Sequence, residues 1–267
     1  MTHNPKSPAR RVSPRKWAAL AATGLAAAAA PVSVHLLSAT PAFATSGEAG
    51  EAGESGVVLS EGPSAFLTRL GYFEGTYRII ATLYLSGARD LARAHQEESH
   101  HAFYEDIEPA LAEYGAPGFA AEAENFAKAV NDNASDEEVQ AALDALLSAL
   151  SNAAAAADAP AYEQVKSVQD LITLAAAEYD GGVEGGTVEL AIEYRDSWGF
   201  FEVGRRRAEA MTLSDNPALA KAGRDVLEQL AGAETLYPAL TTDTASSDPS
   251  QLSVAAGWIE IIALRNK

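Results

Sequence analysis

The chain contains no cysteine among its 267 residues. Disulfides, thiolate zinc sites, iron–sulfur clusters and cysteine nucleophiles are therefore excluded, and any metal site must use nitrogen and oxygen ligands. Aromatic residues make up only 7% of the sequence, whereas alanine is abundant. No stretch longer than about five residues alternates between apolar and polar positions, as a half-buried strand would. These features predict an all-α fold.

Basic residues are scarce as well: 19 Lys and Arg stand against 37 Asp and Glu, which gives a net charge of −18 at pH 7. A surface of this sign repels nucleic acid and anionic lipid and attracts cations. We therefore expect no nucleic-acid partner. Solubility alone is the alternative explanation for the charge.

The first 44 residues differ from the rest of the chain. Their basic residues precede an apolar run over residues 17–30, and Ala42-Phe43-Ala44 places small residues where a signal peptidase reads them. We expect a cleavable signal peptide at 1–44, cleaved after Ala44, and hence a periplasmic or secreted protein. The pair Arg10-Arg11 leaves export by the Sec or the Tat route open, and an N-terminal membrane anchor is the alternative to a signal peptide.

Residues 45–62 form a low-complexity Gly/Glu segment, which we expect to be a disordered acidic linker. The remaining domain, 63–267, contains segments with helical periodicity that predict an up-and-down bundle of about eight helices. Pro109 is expected to bend or split the second helix. Two four-helix halves, 63–155 and 160–267, are an open alternative, and no transmembrane helix is expected in the mature chain. The predicted helices are 64–87, 90–114, 119–130, 135–150, 162–179, 187–213, 218–236 and 250–265.

The second predicted helix contains a cluster of imidazoles and carboxylates. On a helix with about 100° per residue, His95 and Glu98 fall on one stripe, and His101 and Glu105 fall on the next. Imidazole with carboxylate suits Fe, Cu or Zn, whereas Mg and Ca prefer oxygen ligands alone. The pattern predicts metal ligands at these four positions, and a solvated polar helix face is the alternative.

The predicted helix 187–213 carries Glu189, Glu193 and Asp196 at i, i+4 and i+7, which would place them on one stripe. The flanking sequence is apolar and aromatic, so this stripe is expected to approach the core, where carboxylates need cations or hydrogen-bond donors. Three interpretations stay open: a core ion-pair network with the arginines at 205–207, a set of metal ligands, and general acid–base catalysis.

Glu74 lies between Gly71 and Gly75 in the first predicted helix. Glycines on a helix face let another helix approach closely. Glu74 is therefore a candidate metal ligand supplied by a second helix, and a surface acid beside packing glycines is the alternative.

The C-terminal half resembles the helical extracytoplasmic domains attached to bacterial high-affinity iron permeases and their imelysin-like relatives. The resemblance implies an exported helical protein of transition-metal uptake or handling, with acidic and histidine ligands. A first-half segment, 70–105, matches more loosely, and His101 and Glu105 are spaced one residue wider than the His-x-x-Glu pair of the imelysins. The implied ligands are His95, His101, Glu105, Glu193 and Asp196. The runs that carry the resemblance are Leu174-Ala175-x-x-x-Tyr179, Gly182-Val183-x-x-Gly186 and Glu193-Tyr194-x-Asp196-x-x-Gly199-Phe200.

The sequence contains neither a Gly-x-Ser-x-Gly elbow nor a glycine-rich phosphate loop between a strand and a helix. We therefore expect a binding protein and not an enzyme. The predicted function is capture of a transition-metal cation, iron or copper, by an exported soluble protein. The expected partners are the metal cation and a membrane transporter or envelope protein. The alternative is a helical adaptor or scaffold of the cell envelope without metal or catalytic activity.

Overall fold

The computed structural model describes residues 62–267. The predicted signal peptide at 1–44, its cleavage after Ala44 and all but the last residue of the linker lie outside this range and stay predictions. The all-α prediction is confirmed in the described part of the chain, since helices dominate it. These helices are α1 (Pro63–Leu85), α2 (Arg89–Glu98), α3 (Tyr104–Glu113), α4 (Ala120–Asn131), α5 (Asp136–Ala155), α6 (Ala161–Gly182), α7 (Ala191–Thr212), α8 (Pro217–Leu230) and α9 (Ser250–Leu264).

Local sequence signals determine several helix ends. The Ser135 hydroxyl accepts a hydrogen bond from the Glu138 backbone N–H, and the Glu138 carboxylate accepts one from the Ser135 N–H, so a capping box begins α5. Gly87 has a φ of 89°, and the Ala88 N–H donates to the Leu83 carbonyl, which ends α1 where the sequence predicted.

The prediction of one continuous helix over 90–114 is wrong. The chain leaves helical geometry at Ser99 and resumes it at Tyr104, whereas Pro109 lies inside α3 without interrupting it. The break therefore separates α2 from α3 in the middle of the histidine cluster. His101 and Glu105 therefore do not lie on one helical stripe, contrary to the prediction.

The predicted helix over 187–213 also begins later than expected. Two antiparallel strands, Val183–Glu184 and Thr187–Val188, join α6 to α7. Gly185 and Gly186 form the turn between them with φ values of 58° and 89°, as a tight hairpin of this hand requires. Glu189 consequently precedes α7 and does not share a helical stripe with Glu193 and Asp196.

The helices α6, α7, α8 and α9 form one bundle in which α6 packs on α7 and α9, and α8 packs on the same two helices. Their buried side chains form one hydrophobic cluster, and those of α1 to α5 form another. Whether 63–155 and 160–267 are two independent domains stays a prediction.

The helix α1 connects the two clusters because it packs along α7. An added Cβ at Gly75 would lie 3.1 Å from the backbone carbon of Gly199, so both glycines are needed for the close approach of the helices. This contact brings the α1–α2 region against the middle of α7. Within residues 62–267, none of the helices has both the length and the apolarity needed to cross a membrane.

Candidate functional site

Two carboxylates are buried in the first turns of α7. The residues Glu193 and Asp196 are only 2% and 1% exposed and lie at i and i+3. The C-terminal end of α6 makes room for them, because an added Cβ at Gly181 would lie 2.0 Å from Glu193 Oε2. Glycine at that position therefore lets the Glu193 carboxylate fit between the two helices.

Two imidazoles meet the Asp196 carboxylate from the other side. His95, in the last turn of α2, is fully buried, and its Nε2 lies 3.3 Å from Asp196 Oδ1. His101, in the break after α2, is 7% exposed, and its Nε2 lies 3.6 Å from Asp196 Oδ2. One carboxylate thus faces both imidazoles, one through each oxygen. We call these three side chains the His/Asp cluster.

Two of the three members of the His/Asp cluster are short of hydrogen bonds. Neither ring nitrogen of His95 and neither carboxylate oxygen of Asp196 has a hydrogen-bond partner among the described residues. A buried polar atom left in this state costs about 1 to 3 kcal/mol. The cluster is therefore an energetically unfavourable arrangement unless protons or a cation complete it.

The break between α2 and α3 positions the His101 ring. The Ser99 hydroxyl accepts a hydrogen bond from the His101 backbone N–H at 3.5 Å and lies 3.5 Å from the Thr76 hydroxyl of α1. The rings of Tyr72 and Phe200 contact the imidazole edge-on, with centroids 5.8 and 5.1 Å away. His101 lies outside the helices, and side chains of α1 and α7 therefore hold its ring in place.

Glu178 of α6 is a buried carboxylate at the same level of the bundle, and the sequence analysis missed it. It is fully buried, and it lies one turn after Ala175, whose carbonyl accepts a hydrogen bond from the Ser197 hydroxyl at 2.6 Å. Because Ser197 follows Asp196, this bond aligns Glu178 with the carboxylates of α7. A signal for Glu178 existed: it follows Leu171 and Leu174 at helical spacing on the apolar face of α6.

Positive charge near these carboxylates comes from Arg195. Its guanidinium Nε donates to the Leu240 carbonyl at 3.0 Å. Burial lowers the pKa of Arg195, and the charges of Glu98 and Asp196 oppose that effect. Arg195 therefore places a buried positive charge next to Asp196.

Other residues predicted as ligands lie elsewhere. Glu98 and Glu105 are exposed, because α2 ends at Glu98 and Glu105 belongs to the first turn of α3. Glu189 is exposed before α7 begins. Glu74 accepts hydrogen bonds from Nε and Nη2 of Arg78 at 2.9 and 2.8 Å. The structure therefore does not bring these four carboxylates to the buried cluster.

The arginines expected to neutralise the α7 carboxylates pair with a different residue. Arg205 Nη2 and Arg206 Nε donate to the buried Glu202 carboxylate at 2.8 and 2.6 Å. Arg207 points instead toward α6, where its Nη1 donates to the Ser167 hydroxyl at 3.4 Å. Arg205 and Arg206 therefore form an ion-pair network with Glu202 and not the predicted one with Glu189, Glu193 and Asp196.

Within the described range, no group of three or more His, Asp or Glu side chains has the geometry of a complete metal site as it stands. The His/Asp cluster provides two imidazole nitrogens and two carboxylate oxygens in contact distance. Small side-chain rotations would be needed to direct these donors at one point.

Comparison with known proteins places the second half of the chain in context. No curated protein and no solved structure matches the chain. Residues 162–262, which extend from the start of α6 to the last turn of α9, match one family model. The carboxylates of Glu178, Glu193 and Asp196 lie inside the matched segment, whereas His95 and His101 precede it. The resemblance seen in the sequence is confirmed: the C-terminal bundle of this chain matches the iron permease-associated 4-helix bundle domain.

Proposed function

We propose that this protein is an exported binding protein that takes up a transition-metal cation, iron first and copper next, at the His/Asp cluster. His95, His101 and Asp196 are the proposed first ligands, and Glu193 and Glu178 are proposed to supply further oxygens. The metal is the cargo of the protein, and no catalytic step is part of the proposal. The supply of iron to a membrane permease is the proposed role.

The observation that carries this proposal is the placement of one buried carboxylate between two buried imidazoles. The Nε2–Oδ distances of 3.3 and 3.6 Å are close to what a shared ion requires. Two donors that are each about 2.1 Å from one ion lie about 3.0 to 3.4 Å apart at octahedral or tetrahedral angles. A shift of a few tenths of an ångström would therefore allow Asp196 and each imidazole to bind the same cation.

The donor chemistry supports a transition metal over Mg or Ca. Neutral imidazole suits Fe, Cu and Zn, whereas the hard cations prefer carboxylate, carbonyl and water oxygens. Iron is proposed first because residues 162–262 match an iron permease-associated domain. The acidic surface, with a net charge of −18, supports the proposal further because it raises the local concentration of cations.

The proposal is tested by titrating ferrous iron into the full chain by calorimetry without oxygen. We expect His95→Ala and His101→Ala to bind iron about 100-fold more weakly or worse, since each removes a proposed ligand. His100→Ala is the matched control, because His100 is the exposed neighbour of His101 and contacts the Phe103 ring. Equal affinity in wild type and both ligand variants would reject the His/Asp cluster as the iron site.

The alternative function, a helical adaptor, is supported by one surface feature. The outer face of α9 exposes an apolar stripe at helical spacing, with Val254 59%, Trp258 50% and Ile261 39% exposed. Such a stripe is typical of a surface that contacts another protein. If the wild-type chain binds no iron in the calorimeter, the adaptor function becomes the better explanation.

A further inference from the structure

A cavity of about 510 Å³ lies at the far end of α7 from the His/Asp cluster. Its walls come from α1, α5, α6, α7 and the start of α8. Apolar side chains such as Leu67, Met211 and Leu219 form part of the wall, and Ser151 and Ser167 add hydroxyl groups. The volume falls within the range of about 300 to 1,000 Å³ that is usual for sites of small organic ligands.

Arg207 is the cationic side chain of this cavity, and it differs from the other arginines of α7. Arg205 and Arg206 both form ion pairs with Glu202. Arg207 has no ion pair among the described residues, and its one hydrogen bond is the 3.4 Å contact from Nη1 to Ser167 Oγ. Its guanidinium therefore keeps most of its donors available in a protein that is otherwise rich in carboxylates.

The position of the Arg207 guanidinium is built into the packing of α1 on α7. An added Cβ at Gly71 of α1 would lie 3.1 Å from Arg207 Nη2, so glycine there leaves space for the guanidinium. Burial lowers the pKa of Arg207, while the charge of Glu74 acts in the opposite direction. A buried guanidinium that forms no ion pair at contact distance is costly, and an anion in the cavity would lower that cost.

We propose that this cavity binds a small organic carboxylate, whose carboxylate group is held by Arg207 and whose apolar part fills the space between α1, α5 and α8. A guanidinium is planar and matches a carboxylate through two parallel N–H···O bonds. A monocarboxylate brings one negative charge to Arg207, the cationic side chain among the described lining residues. Phosphate is disfavoured relative to a monocarboxylate, because its second negative charge adds to the repulsion from Asp158, which also lines the cavity. The site is independent of the proposed metal function.

The test compares two ligands of the same shape, benzoate and uncharged benzamide, by calorimetry on the full chain. We expect benzoate to bind and benzamide to bind at least about tenfold more weakly, because the carboxylate supplies the charge-assisted bonds. Inorganic phosphate is expected to bind more weakly than benzoate. Equal affinity for benzoate and benzamide, or tighter binding of phosphate than of benzoate, would overturn the proposal.

Variants identify the site of binding. Arg207→Met is expected to lower benzoate affinity at least about tenfold, and Arg206→Met is the control on the same helix, with no change expected. Ala155→Trp fills the exposed rim of the cavity without touching the core, so it also weakens benzoate if Arg207→Met does not fold. Unchanged benzoate binding in Ala155→Trp, or an equal loss in Arg206→Met, would contradict the assignment of the ligand to this cavity.

Discussion

The two halves of α7 each bury a carboxylate, but the partners of the two carboxylates differ. At its N-terminal end, which we call the imidazole end, Asp196 faces His95 and His101. In its second half, which we call the guanidinium end, Glu202 accepts hydrogen bonds from Arg205 and Arg206. Both carboxylates are at least nine-tenths buried. The comparison therefore isolates the effect of the partner.

The two carboxylates differ in whether their partners can also bind a metal. A guanidinium stays protonated at all ordinary pH values and has no lone pair to offer, so Glu202 remains in fixed ion pairs. A neutral imidazole offers a ring nitrogen to a metal. In the proposed function Asp196 and the two imidazoles bind the cation together, whereas Glu202 stays paired with Arg205 and Arg206.

The largest expected effect is on the affinity for iron, which should depend on Asp196 and not on Glu202. Asp196→Asn should weaken the binding of ferrous iron about 100-fold or more, because it removes the charged carboxylate that faces both imidazoles. Glu202→Gln should leave iron affinity within about twofold, since its partners are guanidinium groups. Calorimetry on both variants makes the comparison. A large loss in Glu202→Gln alone would reverse our assignment of the two ends.

The second prediction concerns the contact that joins α1 to the middle of α7. Gly199→Val should reduce the free energy of unfolding by about 2 to 3 kcal/mol, because a Cβ at Gly199 would lie 2.7 Å from Ile79 Cδ1. Urea denaturation measures this loss. Gly257→Ala in α9 is the control: no atom lies within 4 Å of its added Cβ, so a gain of about 0.5 to 1 kcal/mol is expected. Equal effects in the two variants would show that the Gly75–Gly199 contact does not determine the packing.

Alkaline pH should destabilise the protein without involving the guanidinium end. Burial raises the pKa of Tyr77 to about 12, and burial also raises the pKa values of Tyr194 and Tyr237. Their stabilising effect is complete below pH 10 and is lost as the pH rises toward the folded-state values, because the unfolded chain ionises first. For Tyr77 the loss at pH 11 is about 1.4 kcal/mol.

Denaturation at pH 9 and pH 11 checks this pH dependence. In Tyr77→Phe the difference between the two pH values should shrink by about 1.4 kcal/mol, whereas in Glu202→Gln it should equal that of the wild type. If the loss of unfolding free energy between pH 9 and pH 11 disappeared in Glu202→Gln, the titrating group would belong to the guanidinium end, and the prediction would be wrong.

The smallest effect is the structural value of the guanidinium end. Glu202→Gln should cost about 1 kcal/mol of unfolding free energy, because Arg205 and Arg206 are partly exposed and water replaces the lost partner. Glu209→Gln is the control, since Glu209 pairs with Arg205 at a more exposed position and should cost less. Thermal or urea unfolding distinguishes them. A larger cost for Glu209 than for Glu202 would contradict the role given to Glu202.

Much of the fold was predictable because its signals are local. The capping box at Ser135, the left-handed Gly87 and the apolar periodicities all specify helices from neighbouring residues. The break between α2 and α3 was not predictable in this way, because Ser99 to Phe103 contains neither glycine nor proline. Tertiary contacts of Ser99 with Thr76, and of His101 with Phe200, determine that conformation.

The candidate site was predictable only in part for the same reason. The residue types at His95, His101, Glu193 and Asp196 drew attention in the sequence, and the structure places all four in the interior. Their role as ligands stays a prediction. Glu178 was hidden because a carboxylate on an apolar helix face looks like an interruption of the core until the neighbouring helix is known.

The most direct test of the central claim is anomalous diffraction at the iron absorption edge from crystals of the full chain grown with ferrous iron. If iron binds at the His/Asp cluster, one strong peak is expected about 2.0 to 2.3 Å from His95 Nε2, His101 Nε2 and an Asp196 oxygen. Iron found only on surface carboxylates such as Glu98 or Glu105, with the His/Asp cluster unchanged, would contradict it.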